Sequence, residues 1–389
     1  MNERTRALQL LRRIESESLY ASLVLLDETG FVRTAVLGVL RWRSRLDWTI
    51  AQLAKRPISK IDRSVVDVLR LGLYQVLFMD VPKYAAVGES VELAMPKARG
   101  FVNAVLRRAT AGPLAEPEEL APRTAHPRWM IERWERWYGE ERTRRIAEAN
   151  QELSYPDVLV LGDKAPPDGE PSSLIEGVWK LKRSTADLDR AEFYPLDEGS
   201  AVVAAIARNC GDRVLDLAAA PGSKTIFMLS RGASVVSADV SLPRLRQLTG
   251  RTRRIVAADG RQLPFRDRFP VVLLDAPCSA TGTIRKSPEI KWRLREQDLA
   301  GFAALQREML ASSLDAASEF VVYSTCSLER EECDDVVNAV LASRSDFEVA
   351  DAAPFVPPGA KEWVENGVLR LTPESGADGF TAFVLRRKS

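Results

Sequence analysis

The second half of the chain alternates short apolar runs with helical segments, and this alternation restricts the fold more than any other feature of the sequence. Five runs rich in Val, Leu and Ala follow one another after Asp212: RVLDLAAA, SVVSADV, RIVAADG, PVVLLDAP and EFVVYSTC. Such runs separated by helices are typical of parallel strands that are covered on both faces. Ligands bind to sheets of this kind at the carboxyl ends of the strands. The sequence therefore predicts a parallel α/β domain over residues 201–389 with its functional site at that edge.

The first part of the chain carries helical periodicity instead. Apolar residues recur at steps of three or four, for example at Leu8, Leu11 and Ile14, as in helices that bury one face. We therefore predict an all-helical domain over residues 1–122. Residues 123–200 combine a Trp-rich helical stretch with Pro, Gly and Asp between short apolar runs. This mixture predicts a connector that is partly helical and partly irregular or β-containing.

Length and composition are those of an ordinary soluble globular protein with two or three domains. Of the 389 residues, 46% are hydrophobic and 28% are charged, and the formal net charge is +1, so charge gives no overall signature of nucleic-acid binding. The N-terminus lacks the apolar core of a signal peptide, and no apolar stretch approaches the roughly 18 residues of a membrane span. We expect a cytoplasmic protein without a membrane partner, and nothing in the sequence demands more than a monomer.

The histidine and cysteine content argues against a metal site. His126 is the single histidine, and the four cysteines include no C-x-x-C pair. These residue types supply the ligands of most zinc sites. We therefore expect no metal, and each cysteine must be interpreted from its neighbours.

The segment after the first apolar run predicts a cofactor that bears a nucleoside. Residues 214–225 read VLDLAAAPGSKT, which indicates a strand, a tight turn and a helix start where backbone N–H groups can meet a ligand. The small residues Ala218–Ala220 and Gly222 let a cofactor approach the backbone closely. Asp239 ends the second run, where a carboxylate can accept hydrogen bonds from ribose hydroxyls. Asp259 ends the third run, and its carboxylate is expected to accept a hydrogen bond from the exocyclic amine of adenine.

Two cysteines follow apolar runs and are expected at the same edge as this turn. They are Cys278 in DAPC and Cys326 in STCS, and the alternative is that both are small buried fillers. Two thiols at one crevice suit methylation of C5 of a cytosine, because that carbon is not nucleophilic until a thiolate adds to C6. A hydrogen bond or proton at N3 stabilises the adduct, and Asp275 is placed to provide it. A second group must then take the C5 proton so that the first thiol can leave.

Together these motifs resemble the Sun/NOP family of RNA cytosine-5 methyltransferases, whose motifs stand here as LDLAAAPGSKT, DAPCSATGTIRKSPEIKWR and YSTCSLEREE. The resemblance implies a Rossmann-like methyltransferase sheet with S-adenosylmethionine as cofactor. It further implies that Cys326 is the nucleophile, that Cys278 aids release and that Asp275 contacts the base. The implied contacts to S-adenosylmethionine are Ala218, Ala219, Ala220, Pro221, Gly222, Ser223, Lys224, Asp239, Asp259 and Asp275.

The N-terminal region resembles the helical NusB-like RNA-binding domain that precedes the catalytic domain in bacterial members. The matching strings are VLGVLRWRSRLDW, VLRLGLYQVLFMDVP, AAVGESVELA and FVNAVLRRA. This pairing of domains favours the members that act on small-subunit (16S) ribosomal RNA. Four basic residues after the Pro-Cys motif are expected to hold RNA phosphates, with plain surface charge as the alternative: Arg285, Lys286, Lys291 and Arg293.

Three alternative functions differ in what they need from the sequence. Transfer RNA is an alternative substrate, because nothing in the catalytic motifs reads a base sequence. A non-catalytic RNA-binding or ribosome-assembly protein would be favoured by loss of a thiol or of the cofactor turn, and both are present. A nicotinamide-dependent oxidoreductase would explain the aspartates at strand ends, but neither the paired cysteines nor the absence of the G-x-G-x-x-G fingerprint.

Overall fold

The computed structural model describes residues 2–182, 185 and 188–388, and the chain divides into two compact units. The first unit comprises Met1–Glu152 and Ile284–Arg295, and the second comprises Leu153–Thr283 and Glu296–Ser389. Residues 183, 184, 186 and 187 of the predicted connector lie outside the described residues.

The first unit is helical, as predicted for the N-terminal part of the chain. Asn2, Thr29 and Asp62 cap three of its helices by accepting a hydrogen bond from a backbone N–H of the first turn, which satisfies donors that the helix itself cannot pair. The apolar faces meet in one core that includes Val36 and Leu69. The helices are α1 (Glu3–Ser16), α2 (Ala21–Val24), α3 (Gly30–Ala54), α4 (Arg63–Phe78), α5 (Lys83–Leu93), α6 (Arg99–Thr110), α7 (Leu120–Arg123) and α8 (Arg128–Ala149).

The second unit is built on a parallel sheet that continues into an antiparallel one. The strand order is β11-β12-β13-β9-β8-β5-β6-β7, with β10 paired to β13. Strands β5 to β9 run parallel as predicted, whereas β13 lies antiparallel to β9. The strands are β5 (Arg213–Leu217), β6 (Ser234–Asp239), β7 (Ile255–Ala257), β8 (Phe269–Asp275), β9 (Ala317–Thr325), β10 (Phe347–Ala350), β11 (Val364–Glu365), β12 (Val368–Leu371) and β13 (Phe380–Arg387).

Helices cover both faces of this sheet, which is why its strands are apolar throughout. Neighbouring residues of β5 point to opposite faces, so that Val214 joins the core formed with α9 and α10, and Leu215 joins the core formed with α13 and α14. The remaining helices are α9 (Glu198–Cys210), α10 (Ser223–Ser230), α11 (Leu242–Leu245), α12 (Ile290–Arg293), α13 (Leu299–Ala316) and α14 (Asp334–Leu341). All of these except α12 belong to the second unit.

The predicted connector is divided between the two units. Helix α8 belongs to the first unit, where Met130, Ile131 and Trp134 are buried. The following residues form a separate four-stranded antiparallel sheet of the second unit, in the order β2-β3-β1-β4. Its strands are β1 (Asp157–Val160), β2 (Gly169–Pro171), β3 (Val178–Leu181) and β4 (Phe193–Pro195).

The segment Ile284–Arg295 leaves the second unit and packs into the helical one. The Trp292 indole N–H donates to the Leu40 carbonyl at 2.6 Å, and the Lys291 ammonium donates to the Arg41 carbonyl at 2.8 Å. The Trp292 ring packs against the apolar core of that unit. The segment is therefore an integral part of the helical unit although the residues on either side of it belong to the second unit.

Among the described residues, no helix is both long and apolar enough to cross a membrane.

Candidate active site

The predicted cofactor turn connects β5 to α10 and adopts a conformation that requires small residues. Ala218 has a φ of 54° and Gly222 a φ of 109°, which is a region that glycine adopts most readily. A Cβ atom at Gly222 would lie 2.3 Å from Leu248 Cδ2. Helix α10 begins directly afterwards at Ser223, so the unpaired N–H groups of its first turn lie at the turn.

A cavity of about 540 Å³ lies at the carboxyl ends of the parallel strands. Five of the predicted cofactor contacts line it, namely Ala218, Ala220, Asp239, Asp259 and Asp275. The other predicted contacts belong to the same turn but not to the cavity wall. The full lining is Leu217, Ala218, Ala220, Ala238, Asp239, Val240, Arg244, Ala258, Asp259, Gly260, Arg261, Asp275, Ala276, Pro277, Cys278, Leu305, Met309 and Cys326.

The Asp239 carboxylate, at the end of β6, is hydrogen-bonded to the cofactor turn. One of its carboxylate oxygens accepts a hydrogen bond from the Ala220 N–H at 3.1 Å, and the other accepts from the Ser241 N–H at 2.8 Å. A carboxylate has about four acceptor positions, so each oxygen keeps capacity for a further donor. This is the chemistry needed to bind vicinal hydroxyls such as those of a ribose.

Asp259 is engaged with a neighbouring arginine at the cavity rim. The Arg261 guanidinium lies 2.7 Å from its carboxylate, and the Arg261 N–H donates to the same group at 2.9 Å. These hydrogen bonds lower the pKa of Asp259 to about 2. The carboxylate is therefore ionised and preorganised, and an adenine amine would share it with Arg261.

Lys224 occupies a position that the sequence analysis did not anticipate. Its ammonium is buried, lies 2.5 Å from a carboxylate oxygen of Asp275 and donates to the Ser200 hydroxyl at 3.0 Å. Burial opposes the positive charge, but the Asp275 carboxylate outweighs it and raises the pKa of Lys224. The other Asp275 oxygen accepts from the Ser324 hydroxyl at 2.8 Å. Lys224 and Ser324 thus hold the Asp275 carboxylate by one oxygen each.

The two predicted cysteines lie together beside the cavity. Strands β8 and β9 are paired in parallel with Asp275 opposite Ser324, so the loops that carry Cys278 and Cys326 leave the same edge of the sheet. Their sulfur atoms are 3.3 Å apart. The hydrogen bond to Cys326, burial and the nearby charge of Cys326 all raise the pKa of the Cys278 thiol well above its ordinary value.

The other two cysteines are in a different environment. Cys333 is buried with its sulfur 3.2 Å from the Thr325 hydroxyl, and Cys210 packs at the edge of a core. Burial raises the pKa of each to about 12. They remain protonated at neutral pH and act as packing residues.

Two buried acids near the site were missed by sequence reasoning. Asp216 on β5 is buried and accepts a hydrogen bond from the Thr225 hydroxyl at 2.6 Å. Glu332 is buried between the two cysteine loops and accepts hydrogen bonds from Ser279 and Ser327. For Asp216, the signal was an acid inside an otherwise apolar strand. For Glu332, no local signal distinguishes it from the neighbouring acids in LEREE.

The structure corrects the prediction for the basic residues after the Pro-Cys motif. All four lie in the part of the chain that belongs to the helical unit. Lys291 is 1% exposed and Arg285 is 7% exposed, and the Lys291 ammonium already donates to a backbone carbonyl. The Arg293 guanidinium lies over the Tyr20 ring at 3.8 Å from its centroid. Lys291 and Arg285 are interior residues of that unit, because their side chains lie away from solvent, so neither is an exposed charge of the kind that the prediction assumed. Lys286 is half-buried.

Comparisons with known proteins agree on both parts of the chain. The family described as "16S rRNA methyltransferase RsmB/F" matches residues 203–386, and the NusB family matches residues 1–111. The ribosomal RNA small subunit methyltransferase B of Klebsiella pneumoniae strain 342 is 30% identical, over 93% of this chain and 91% of its own length. The protein of that name from Shigella flexneri is 33% identical, over 85% of this chain and 86% of its own length. The crystal structure of PH0851 covers 99% of this chain and 98% of its own, with a TM-score of 0.76 and 21% identity.

Proposed function

Because the chain belongs to the 16S rRNA methyltransferase RsmB/F family, we propose that it methylates C5 of a cytosine in 16S ribosomal RNA, with Cys326 as nucleophile and Cys278 as the residue that releases the product. The observation that carries the proposal is the pair of thiols 3.3 Å apart at the wall of the cavity. The proposal includes a monomeric protein acting in the cytoplasm.

S-adenosylmethionine is the cofactor of this methyltransferase family, and it supplies an electrophilic methyl group. The residues that line the cavity are suited to binding S-adenosylmethionine. Asp239 has acceptor capacity for ribose hydroxyls, and Ala218 and Ala220 line the cavity with side chains of one methyl group each. Gly222 allows the turn to pack against Leu248, because an added Cβ atom would meet that side chain.

Cys326 starts the reaction by attacking C6 of the cytosine. Its sulfur bonds to C6 as a thiolate, and the electron pair of the C5–C6 double bond moves toward C5 and N3. The raised pKa of Cys278 keeps its thiol protonated, so its S–H is available to a Cys326 sulfur 3.3 Å away. Cys326 gives up its own proton to solvent before it attacks, and the Cys278 S–H can then hydrogen-bond to the thiolate.

Asp275 faces the charge that develops on the ring. The Lys224 nitrogen lies 2.5 Å from an oxygen of the Asp275 carboxylate. As the ring becomes basic, a proton passes from the Lys224 ammonium to Asp275 and from Asp275 to N3, which leaves Lys224 neutral and Asp275 ionised. Stabilising charge where it develops is the largest contribution that a preorganised site makes. Ser324 holds the second oxygen of Asp275 and so fixes its orientation.

Release requires removal of the C5 proton after methylation. Once the Cys326 sulfur is bonded to C6 it carries no charge, so one of the causes of the raised Cys278 pKa disappears. Cys278 can then release its proton to solvent and, as a thiolate, take the C5 proton. The C5–H electrons form the C5–C6 double bond, the C6–S bond breaks, and Cys326 leaves as a thiolate.

The test is incubation of the purified protein with isotopically labelled S-adenosylmethionine and unmodified small-subunit ribosomal RNA, with a transfer RNA pool in parallel. We expect label in 5-methylcytidine of ribosomal RNA, identified by mass spectrometry of nucleosides. Label in transfer RNA alone would keep the chemistry and reject the substrate. Cofactor binding without label in either RNA would favour a non-catalytic RNA-binding or assembly protein.

A further inference from the structure

We propose that Glu332 is a positioning residue that holds the two cysteine loops together, so that the Cys278 and Cys326 sulfurs stay within reach of the same base. The inference rests on the function proposed above and adds to it a residue that never touches the substrate. Glu332 lies between β9 and α14, six residues after Cys326 along the chain.

The Glu332 carboxylate receives hydrogen bonds from both cysteine loops. One oxygen accepts from the Ser279 N–H at 2.8 Å, and Ser279 follows Cys278 directly. The other oxygen accepts from the Ser327 hydroxyl at 2.5 Å, and Ser327 follows Cys326 directly. The Ser279 hydroxyl also donates to this second oxygen. A single side chain therefore connects the residues that come immediately after the two thiols.

A third element is tied to the same carboxylate. The side-chain amide of Gln306 on α13 donates to Glu332 at 3.0 Å and to the Pro277 carbonyl at 2.9 Å. Pro277 precedes Cys278, so the Cys278 loop is held on both sides of the cysteine. The Tyr323 hydroxyl donates to the Glu332 carbonyl at 2.6 Å, which fixes the backbone of the glutamate against β9.

The chemistry of the cluster suits an acceptor-only group. Glu332, Ser327 and Gln306 are fully buried, and the donors are neutral hydroxyl, amide and backbone N–H groups. An ionised carboxylate has about four acceptor positions and no donor, which matches four donors converging on two oxygens. Burial raises the pKa of Glu332, while the hydrogen bonds from Ser279 and Ser327 act against this rise. A buried polar network that is satisfied in this way specifies one geometry.

The consequence concerns the distance between the thiols. The loops are also joined by the Gly282 N–H, which donates to the Cys326 carbonyl at 2.9 Å, but this link lies beyond Cys278 on the far side of its loop. The Ser279 and Ser327 hydroxyls, which follow the two cysteines, also lie 3.1 Å apart. Glu332 accepts hydrogen bonds from both of these hydroxyls, so its carboxylate fixes the direct contact between them as well. Removing its carboxylate should leave the cofactor cavity intact, because Glu332 is not among the residues that line it, while letting the two sulfurs separate.

The test measures the proximity of the thiols without RNA or cofactor. Phenylarsine oxide reacts with two nearby thiols to form two As–S bonds and releases water, so the rate of bridging reports on their separation. We expect Glu332→Ala to slow bridging by at least about tenfold, as loss of orientation does for reactions between adjacent groups. Glu332→Gln keeps the length of the side chain and one acceptor oxygen, and its amide can donate to the Ser279 and Ser327 hydroxyls, which can also accept; it should therefore recover most of the rate. Cys278→Ala lacks one of the two thiols and gives the rate without bridging. Glu319→Ala, at an exposed glutamate on β9, is the matched control and should bridge at the unmodified rate.

Melting temperature and binding of labelled S-adenosylmethionine are measured on the same samples, with Ser327→Ala as a milder variant if Glu332→Ala fails to fold. Unchanged bridging in a folded Glu332→Ala or Ser327→Ala protein would overturn the proposal. Slower bridging with a proportional loss of methylation would support it. Slower bridging in a chain whose unmodified form methylates no RNA would keep the positioning role and reject the proposed function.

Discussion

The two cysteines that we propose to react differ from the other two cysteines in the groups that lie within a few ångströms of them. Cys278 and Cys326 face each other across 3.3 Å next to a cavity, whereas burial alone raises the pKa of Cys210 to about 12. A thiol acts as a nucleophile only when its thiolate is accessible. The proximity of a second thiol and of the cavity is therefore the feature that distinguishes the proposed catalytic pair from the two packing cysteines.

The assignment of the two thiols predicts different outcomes for their removal. Cys326→Ala should reduce methylation by several orders of magnitude and form no covalent complex with RNA. Cys278→Ala should accumulate a covalent protein–RNA complex, because the methylated adduct can no longer lose its C5 proton. Denaturing electrophoresis with labelled RNA detects the complex. The reverse pattern, with the complex in Cys326→Ala, would exchange the two roles.

Asp216 predicts a pH dependence of stability. Burial raises its pKa to about 7, compared with about 3.9 in an unfolded chain. Between these values the folded state retains a proton that the unfolded state has released, so this residue makes stability fall as pH rises from about 4 to 7. Asp216→Asn cannot ionise, and we expect it to be more stable than the unmodified chain by about 1 to 3 kcal/mol at pH 8.

The same variant should gain little over the unmodified chain at pH 4, where Asp216 is neutral in the folded state and about half ionised in the unfolded state. Urea unfolding of the second unit at the two pH values measures the difference. Asp267→Asn, at an exposed position, is the control and should show no such pH-dependent gain. A gain of equal size at both pH values would mean that ionisation of Asp216 is not its cause.

At the scale of elements, the sequence predicts strands that are apolar throughout and misses pairings between distant segments. The runs that became β5 to β9 were recognisable because burial on both faces removes the polar alternation. Strand β13 was not predicted beside β9, because its position depends on pairing over more than fifty residues rather than on a local pattern. The sheet β1–β4 was expected only as a β-containing connector, since its strands are three or four residues long.

The site residues likewise fall into those that the sequence predicts and those that it does not. The cofactor turn and both cysteines follow strands and could be placed from the sequence, since parallel strands bring their carboxyl ends together. The burial of Lys224 and Arg285 could not, because a charged residue is expected at the surface unless its partner is known. Glu332 was missed because its four donors come from three separate segments.

The turn between β5 and α10 predicts a specific requirement for glycine. Gly222 and Gly232 both have positive φ values, of 109° and 81°, but only at Gly222 would an added Cβ atom meet another residue. Gly232→Ala should show conformational strain alone, at about 1 kcal/mol. Gly222→Ala adds displacement of Leu248, and we expect about 2 to 4 kcal/mol of destabilisation together with weaker binding of S-adenosylmethionine. Chemical unfolding and cofactor titration provide the two measurements, and equal effects of the two variants would contradict the steric argument.

At the scale of the whole chain, the boundaries of the units do not follow the order of the sequence. The segment Ile284–Arg295 begins six residues after Cys278 and is part of the helical unit. Its buried Glu289 accepts a hydrogen bond from the Ala21 N–H at 2.9 Å, and the Arg41 guanidinium donates to the Arg285 carbonyl at 2.8 Å. A truncation after residue 122 would therefore remove buried parts of the helical unit as well as the catalytic domain.

This arrangement predicts that a substitution in the catalytic half of the sequence will loosen the N-terminal helices. Trp292→Ala removes a ring that packs on the helical core and a donor to the Leu40 carbonyl on α3. We expect the free energy of local opening of α3 to fall by about 2 to 4 kcal/mol, the range for truncating a large side chain in a core. Hydrogen exchange measured by mass spectrometry should show faster exchange in α3 and unchanged exchange in β5 and β8. Trp179→Ala, on β3 of the second unit, is the matched control and should leave α3 unaffected. Unchanged protection of α3 in Trp292→Ala would mean that the segment is bound to the helices without stabilising them.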